Sequence, residues 1–171
     1  MSIVARVETL LAEGKLIHRP SAYRKVSERN MILTPYIDAL AQQPFADTIE
    51  GERYAALAQY LDGFSELHRI TVAQNPDKKP NDVMLARVHP VGDDFWSMRI
   101  TAPEDTPGIR LLGGFCARDS FVGLLCEFRD YISVFDEEVD ETRNLWRDLF
   151  GDLKPLSGSN LDDYLTHYRE Y

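Results

Sequence analysis

Apolar residues crowd the middle third of the chain, where they form short runs separated by turn formers. Between residues 94 and 129 the sequence reads DFWSMRITAPEDTPGIRLLGGFCARDSFVGLLCEFR. The runs 95–100, 109–116 and 121–128 are β-prone, and Pro103, Pro107 and Gly108 fill the first gap, Ala117 to Ser120 the second. Runs this short, bounded in this way, predict strands of one antiparallel meander. Residues 83–88 predict a strand before them, joined through the turn PVGDD at 90–94.

Helical spacing appears on either side. Ile3, Val4, Val7, Leu10 and Leu11 predict a helix over 3–12, with Gly14 as its stop. Residues 15–19 read as a short extended piece, and 21–32 are mixed, with basic residues at Arg24, Lys25 and Arg29. Thr34 and Pro35 have the cap and first-turn chemistry of a short helix over 35–41. Ile49, Tyr54, Leu57, Leu61, Phe64 and Leu67 mark one face of a longer helix over 47–67. Residues 68–73 are its frayed end or a short strand, and the polar, proline-containing stretch 74–82 is a loop. After the meander, Ser133 and Asp136 suggest a capping box opening a helix whose face is Val139, Thr142, Trp146, Leu149 and Phe150, ended by Gly151. Ser159 or Asn160 would cap a last short helix through Tyr168. The expected fold class is therefore α+β: N-terminal helices, a four-stranded antiparallel meander sheet, and C-terminal helices packed on one face. Within a single domain of 1–171, residues 1–46 would be a helical extension, 47–150 the core and 151–171 a tail helix.

A length of 171 residues suits one domain with a real core. Nineteen lysines and arginines against 28 carboxylates give a net charge of −9, which disfavours RNA and other phosphate backbones but leaves room for a local basic patch. No apolar run has the length of a bilayer span, and the N-terminus lacks a secretion signal, so a cytoplasmic protein with no membrane partner is expected. Cys116 and Cys126 fall on neighbouring predicted strands. Without an export signal, two free thiols are favoured over a disulfide. No CxxC or HxxxH spacing suggests a metal. No GxGxxG, P-loop, GxSxG or HExxH motif suggests a cofactor or a catalytic class.

The run Trp96-Ser-Met-Arg99-Ile100, then Gly108-Ile-Arg110-Leu-Leu, then 121–128 closing on Arg129, followed by an acidic stretch at 136–143, resembles the RelE/ParE-type toxin superfamily, especially its HigB-like branch, over about residues 47–150. The resemblance implies a bacterial toxin–antitoxin protein. Its sheet would carry a concave basic face that holds mRNA on the ribosome and assists backbone cleavage, with a cognate antitoxin as partner. On this reading Arg99, Arg110 and Arg129 occupy catalytic positions, because cleaving RNA needs positive charge at the phosphate. His89 and Tyr131 become binding candidates, His89 as the one histidine near the meander and Tyr131 for base stacking or proton donation. The chain is longer and more acidic than active relatives, so an mRNA endoribonuclease and a divergent inactive relative both stay open, and with them whether it is an enzyme.

Each candidate also has a plain structural reading. Arg99 and Arg110 would pair with Glu104, Asp105 or Asp119, and Arg129 with Asp130 or Glu127. Gly113 and Gly114, inside a strand, mark either a ligand or partner lying on that strand or a bend curling the sheet. Two further functions follow. One is a non-enzymatic interaction module of a phage or mobile element, docking through the acidic helix start at 136–141 and a sheet edge. The other is a small-molecule-binding domain with a pocket near Gly113 and Gly114. Tyr164, Tyr168 and Tyr171, spaced as a helical stripe, would serve core packing or a homodimer contact.

Overall fold

The computed structural model describes residues 1–22 and 28–171, so Arg24 and Lys25 lie outside the described residues. In chain order the elements are α1 (Ile3–Ala12), β1 (Ile17–Arg19), β2 (Asn30–Leu33), α2 (Pro35–Leu40), α3 (Ile49–Ser65), β3 (Ile70–Ala73), β4 (Leu85–Arg87), β5 (Phe95–Ile100), β6 (Ile109–Ala117), β7 (Ser120–Phe128), α4 (Phe135–Phe150) and β8 (Tyr168–Glu170). Two of the expected helix boundaries form. The Thr34 hydroxyl accepts from the Ile37 amide at 3.3 Å, and Gly151 ends α4 with φ 63°, the left-handed backbone that glycine adopts without strain.

The sheet corrects the expected architecture. It has eight strands in the order β1-β2-β7-β6-β5-β4-β3-β8, curled as a half-barrel, in place of a four-stranded antiparallel meander with helices on one face. β4 to β7 do pair antiparallel in sequence order. Around them, however, β2 joins β7 in parallel, β3 joins β4 in parallel, and β8 joins β3 in parallel. These added strands are three or four residues long. That is too short for period-2 alternation to show, and β2 and β3 bury three of their four residues each. Two C-terminal expectations fail with the fold. Val134, not Ser133, caps α4, and it makes no side-chain cap bond. The tail, expected as a helix, is a single 3₁₀ turn (Leu161–Asp163) followed by β8.

Helices cover both faces, because successive strand residues point to opposite sides. Leu57, Leu61 and Phe64 of α3 pack with Leu85, Trp96, Met98, Leu111, Phe115 and Phe121 on one face. Val7 and Leu10 of α1 and Val139, Trp146 and Phe150 of α4 pack with Phe95, Leu112, Cys116 and Val122 on the other. The two cysteines are free and on opposite faces, and burial pushes their thiols up to about 11 (Cys116) and 12 (Cys126). No helix among the described residues is long and apolar enough to cross a membrane.

Gly113 sits where the β6–β7 register shifts. A Cβ there would lie 1.9 Å from the Val122 carbonyl oxygen, so the glycine lets the two backbones close on each other at the bend. Gly113→Ala is expected to cost about 3 kcal/mol, at the upper end for overpacking. The check is a chemical-denaturation midpoint, and an unchanged midpoint would contradict the close approach.

Candidate functional site

Arg99 of β5 and Arg110 of β6 are directly opposed across the strand pair, so both side chains leave the same face of the sheet. That face is the one covered by α1 and α4, but α4 begins only at Phe135. Beyond this residue the sheet floor of Ala86, Val88 and Ser97 and the two arginines borders a cavity of about 270 Å³, also lined by Phe135, Arg129 and Lys79. Arg129 follows the end of β7. Its amide donates to the Gly108 carbonyl at 2.8 Å, and its Nη1 to the Ile132 carbonyl at 3.3 Å. Lys79 comes from the loop after the 3₁₀ turn Pro76–Lys78. The same loop holds Arg99, whose Nη1 donates to the Pro80 carbonyl at 2.7 Å.

Four cations thus face one space, and among the described residues none of them makes an ion pair with a carboxylate. Among the described residues, five of the six other arginines that are at least partly buried pair with a carboxylate, and the sixth, Arg6, donates to the Leu149 carbonyl. Arg19, Arg29, Arg53, Arg87 and Arg143 each sit against an aspartate. Glu127, the cross-strand neighbour of Arg110, turns away and accepts from the Phe128 amide at 2.8 Å instead. The expected pairing of Arg99 and Arg110 with Glu104, Asp105 or Asp119 does not form, nor does that of Arg129 with Asp130 or Glu127; Asp130 binds Arg53 and Asp119 binds Arg29.

The electrostatic cost is concentrated at the centre. Burial, then Arg99 and Arg129, lower Arg110 to about 10. Burial and Arg129 lower Arg99, with Asp82 opposing. Burial, then Arg99 and Arg110, lower Lys79, although much of that side chain is in solvent. Ser97 adds a different signal. It is 3% exposed and is one of the residues lining the cavity, and its hydroxyl is out of reach of solvent with no hydrogen-bond partner in the protein. A buried hydroxyl without a partner costs about 1–3 kcal/mol.

The other sequence candidates lie elsewhere. His89 is exposed, sits 3.0 Å from Asp77, and borders a separate surface groove with Asn75, Arg87 and Tyr171. Tyr131 is 64% exposed, stacks edge-on against Phe128, and does not line the arginine cavity. At Gly113 and Gly114 there is no room for a ligand: backbone fills the first position, and Pro155 with Trp146 the second. No group of three or more His, Cys, Asp or Glu among the described residues is placed to hold a metal ion. Sequence reasoning missed Ser97 and Lys79. Ser97 was findable, since two residues before Arg99 on a strand is the same face. Lys79 carried no signal, because only the path of its loop brings it to the sheet.

Comparison with protein-family models, with curated proteins and with solved structures finds no match for this chain.

Proposed function

We propose that this chain is a binding protein for a small anionic ligand, taken up between Lys79, Arg99, Arg110 and Arg129. The supporting observation is the convergence of these four cations, unpaired with carboxylates among the described residues, on one half-enclosed space in a chain of net charge −9. Opposed like charges on neighbouring strands destabilise a sheet. A bound anion turns that repulsion into charge-assisted hydrogen bonds.

The toxin-like reading draws on the same arginines but asks for more. It needs a groove open to an extended RNA strand and an acid–base pair beside the phosphate. His89 and Tyr131, the residues suited to proton transfer, lie outside the cavity. Asp136, Glu137 and Glu138 occupy the first turn of α4, directly after the cavity-lining Phe135, and add negative charge that disfavours a long polyanion there.

Isothermal titration of the full chain with inorganic phosphate and pyrophosphate at low ionic strength tests the proposal. The expected result is saturable one-site binding that Arg99→Ala removes; heats that do not saturate would count against it. The pH dependence has a defined sign. Lys79 sits below its usual 10.5, so the free protein loses that proton earlier than an ordinary lysine would. Affinity for an anion should therefore begin to fall at a pH below 10.5 and should fall less in Lys79→Met.

A further inference from the structure

Resting on the anion-binding reading, we infer that the ligand is a small phosphomonoester, whose dianionic head sits among Arg99, Arg110, Arg129 and Lys79 and accepts a hydrogen bond from Ser97, with its organic body against Ala86, Val88 and Phe135. Three observations separate this ligand from other anions. The first is charge. Four cations are gathered here without ion-paired carboxylates among the described residues, so a monoanion leaves most of the repulsion in place and a dianion removes more of it.

The second is the direction of approach. The donors arrive from four different segments: Arg99 from β5, Arg110 from β6, Arg129 from beyond β7 and Lys79 from a loop. Donors reaching one cavity from separate segments suit the three terminal oxygens of a tetrahedral group, whereas a planar carboxylate presents two oxygens in one fork. Ser97, on the floor of the cavity, is a fifth donor. It is buried and unpartnered, which is the state that a ligand oxygen corrects.

The third is the apolar wall. Ala86 and Val88 on the floor and Phe135 at the start of α4 supply the apolar part of the lining, and the Phe135 ring lies 6.0 Å from the Lys79 ammonium. A space of about 270 Å³ is small for a ligand pocket, so it holds a phosphoryl head with a compact body rather than a chain.

The test is a titration series with the full chain at pH 8, where a phosphomonoester is doubly charged. Phenyl phosphate is compared with phenyl sulfate, which keeps the ring and the tetrahedral head but carries one charge, with benzoate, with inorganic phosphate and with a 5′-phosphorylated RNA decamer. Phenyl phosphate should bind at least tenfold more tightly than phenyl sulfate or benzoate, and several-fold more tightly than inorganic phosphate or the decamer. Ser97→Ala should weaken phenyl phosphate about tenfold while leaving the ligand-free melting temperature unchanged or higher, because it deletes an unpaired hydroxyl. Phenyl sulfate or benzoate binding as well as phenyl phosphate would overturn the phosphomonoester assignment and leave the anion site standing. So would full affinity in Ser97→Ala, or a lowered ligand-free melting temperature in that variant. A decamer that binds more tightly than phenyl phosphate would overturn the small-ligand class. If none of the anions saturates, the anion-binding reading itself fails.

Discussion

Arg110→Met is expected to lose about 100-fold in anion affinity, roughly 2.7 kcal/mol, and at the same time to raise the melting temperature of the ligand-free protein. Both effects come from one position. Arg110 stands between Arg99 across the strand pair and Arg129 at the end of β7, and both lower its pKa. A hydrogen bond to a charged group is worth about 1.5–3 kcal/mol, and removing the central cation also lowers the field on the ligand from the centre of the cluster. Methionine keeps an unbranched apolar stem of similar reach, so the packing of the arginine methylenes survives. Without ligand, a half-buried cation among three others is a liability. A base held down to about 10 costs stability at every pH below that value and is relieved only as pH rises above it, so the penalty is fully present at neutral pH. Removing it should add about 1 kcal/mol, or 2–4 °C for a chain of this size. The measurements are calorimetric titration with phosphate and differential scanning calorimetry without it. A variant that loses stability would show that Arg110 acts chiefly as a structural tie, through its 3.1 Å contact to the Ile109 carbonyl. The site would then lose its central member.

The strands were legible where their length and their turns agreed. Residues 95–100 form β5 as the pattern predicts, because four of the six residues, Phe95, Trp96, Met98 and Ile100, are apolar and the run lies between a left-handed Asp94 and the Pro103 turn. The flanking strands were not legible. β8 is three residues, and the tyrosines in and around it imitate a helix: Tyr164, Tyr168 and Tyr171 keep helical spacing, but only Tyr168 lies in the strand. Tyr164 is buried against Trp96 and Phe115, at 5.1 and 5.6 Å, and its hydroxyl donates to Asp94 at 2.6 Å. Tyr168 reaches Asp162, and Tyr171 reaches Asp82. The site was half legible. Arginines near the start of one strand and the end of another can be picked out from sequence, but whether they oppose each other depends on the β5–β6 register, which the turn over 103–108 sets. Lys79 depends on tertiary packing alone. The curl of the sheet also required partners that no local pattern announces, since β2 and β8 pair with strands about 90 to 100 residues away in sequence.

Arg29→Met should be the most destabilising of these substitutions, at about 3–5 kcal/mol, or roughly 10 °C or more in melting temperature. Arg29 is wholly buried just before β2. Its guanidinium donates to four carbonyls: Phe64 at 3.3 Å, His68 at 3.1 Å, Thr166 at 2.6 Å and His167 at 3.0 Å. It also faces Asp119 at 3.4 Å. Those partners belong to the end of α3, the β6–β7 turn and the C-terminal segment, so one cation fastens three parts of the chain. Burial lowers its pKa, and Asp119 pulls it back up. Removing one member of a buried pair leaves the other charge unpaired, which costs more than exchanging both for apolar groups. Among the described residues, the Asp119 carboxylate would keep its two contacts to Thr166, from the amide at 2.8 Å and the hydroxyl at 3.0 Å. With the carbonyls of Thr166 and His167 released, β8 loses its anchor beside β3, so residues 166–171 should exchange their amide hydrogens well before the strands β5 to β7 do. Hydrogen exchange followed by mass spectrometry, beside calorimetry, separates this from a general weakening. A uniform rise in exchange, or a loss under about 1 kcal/mol, would mean that Arg29 is not what fastens the C-terminal strand to the sheet.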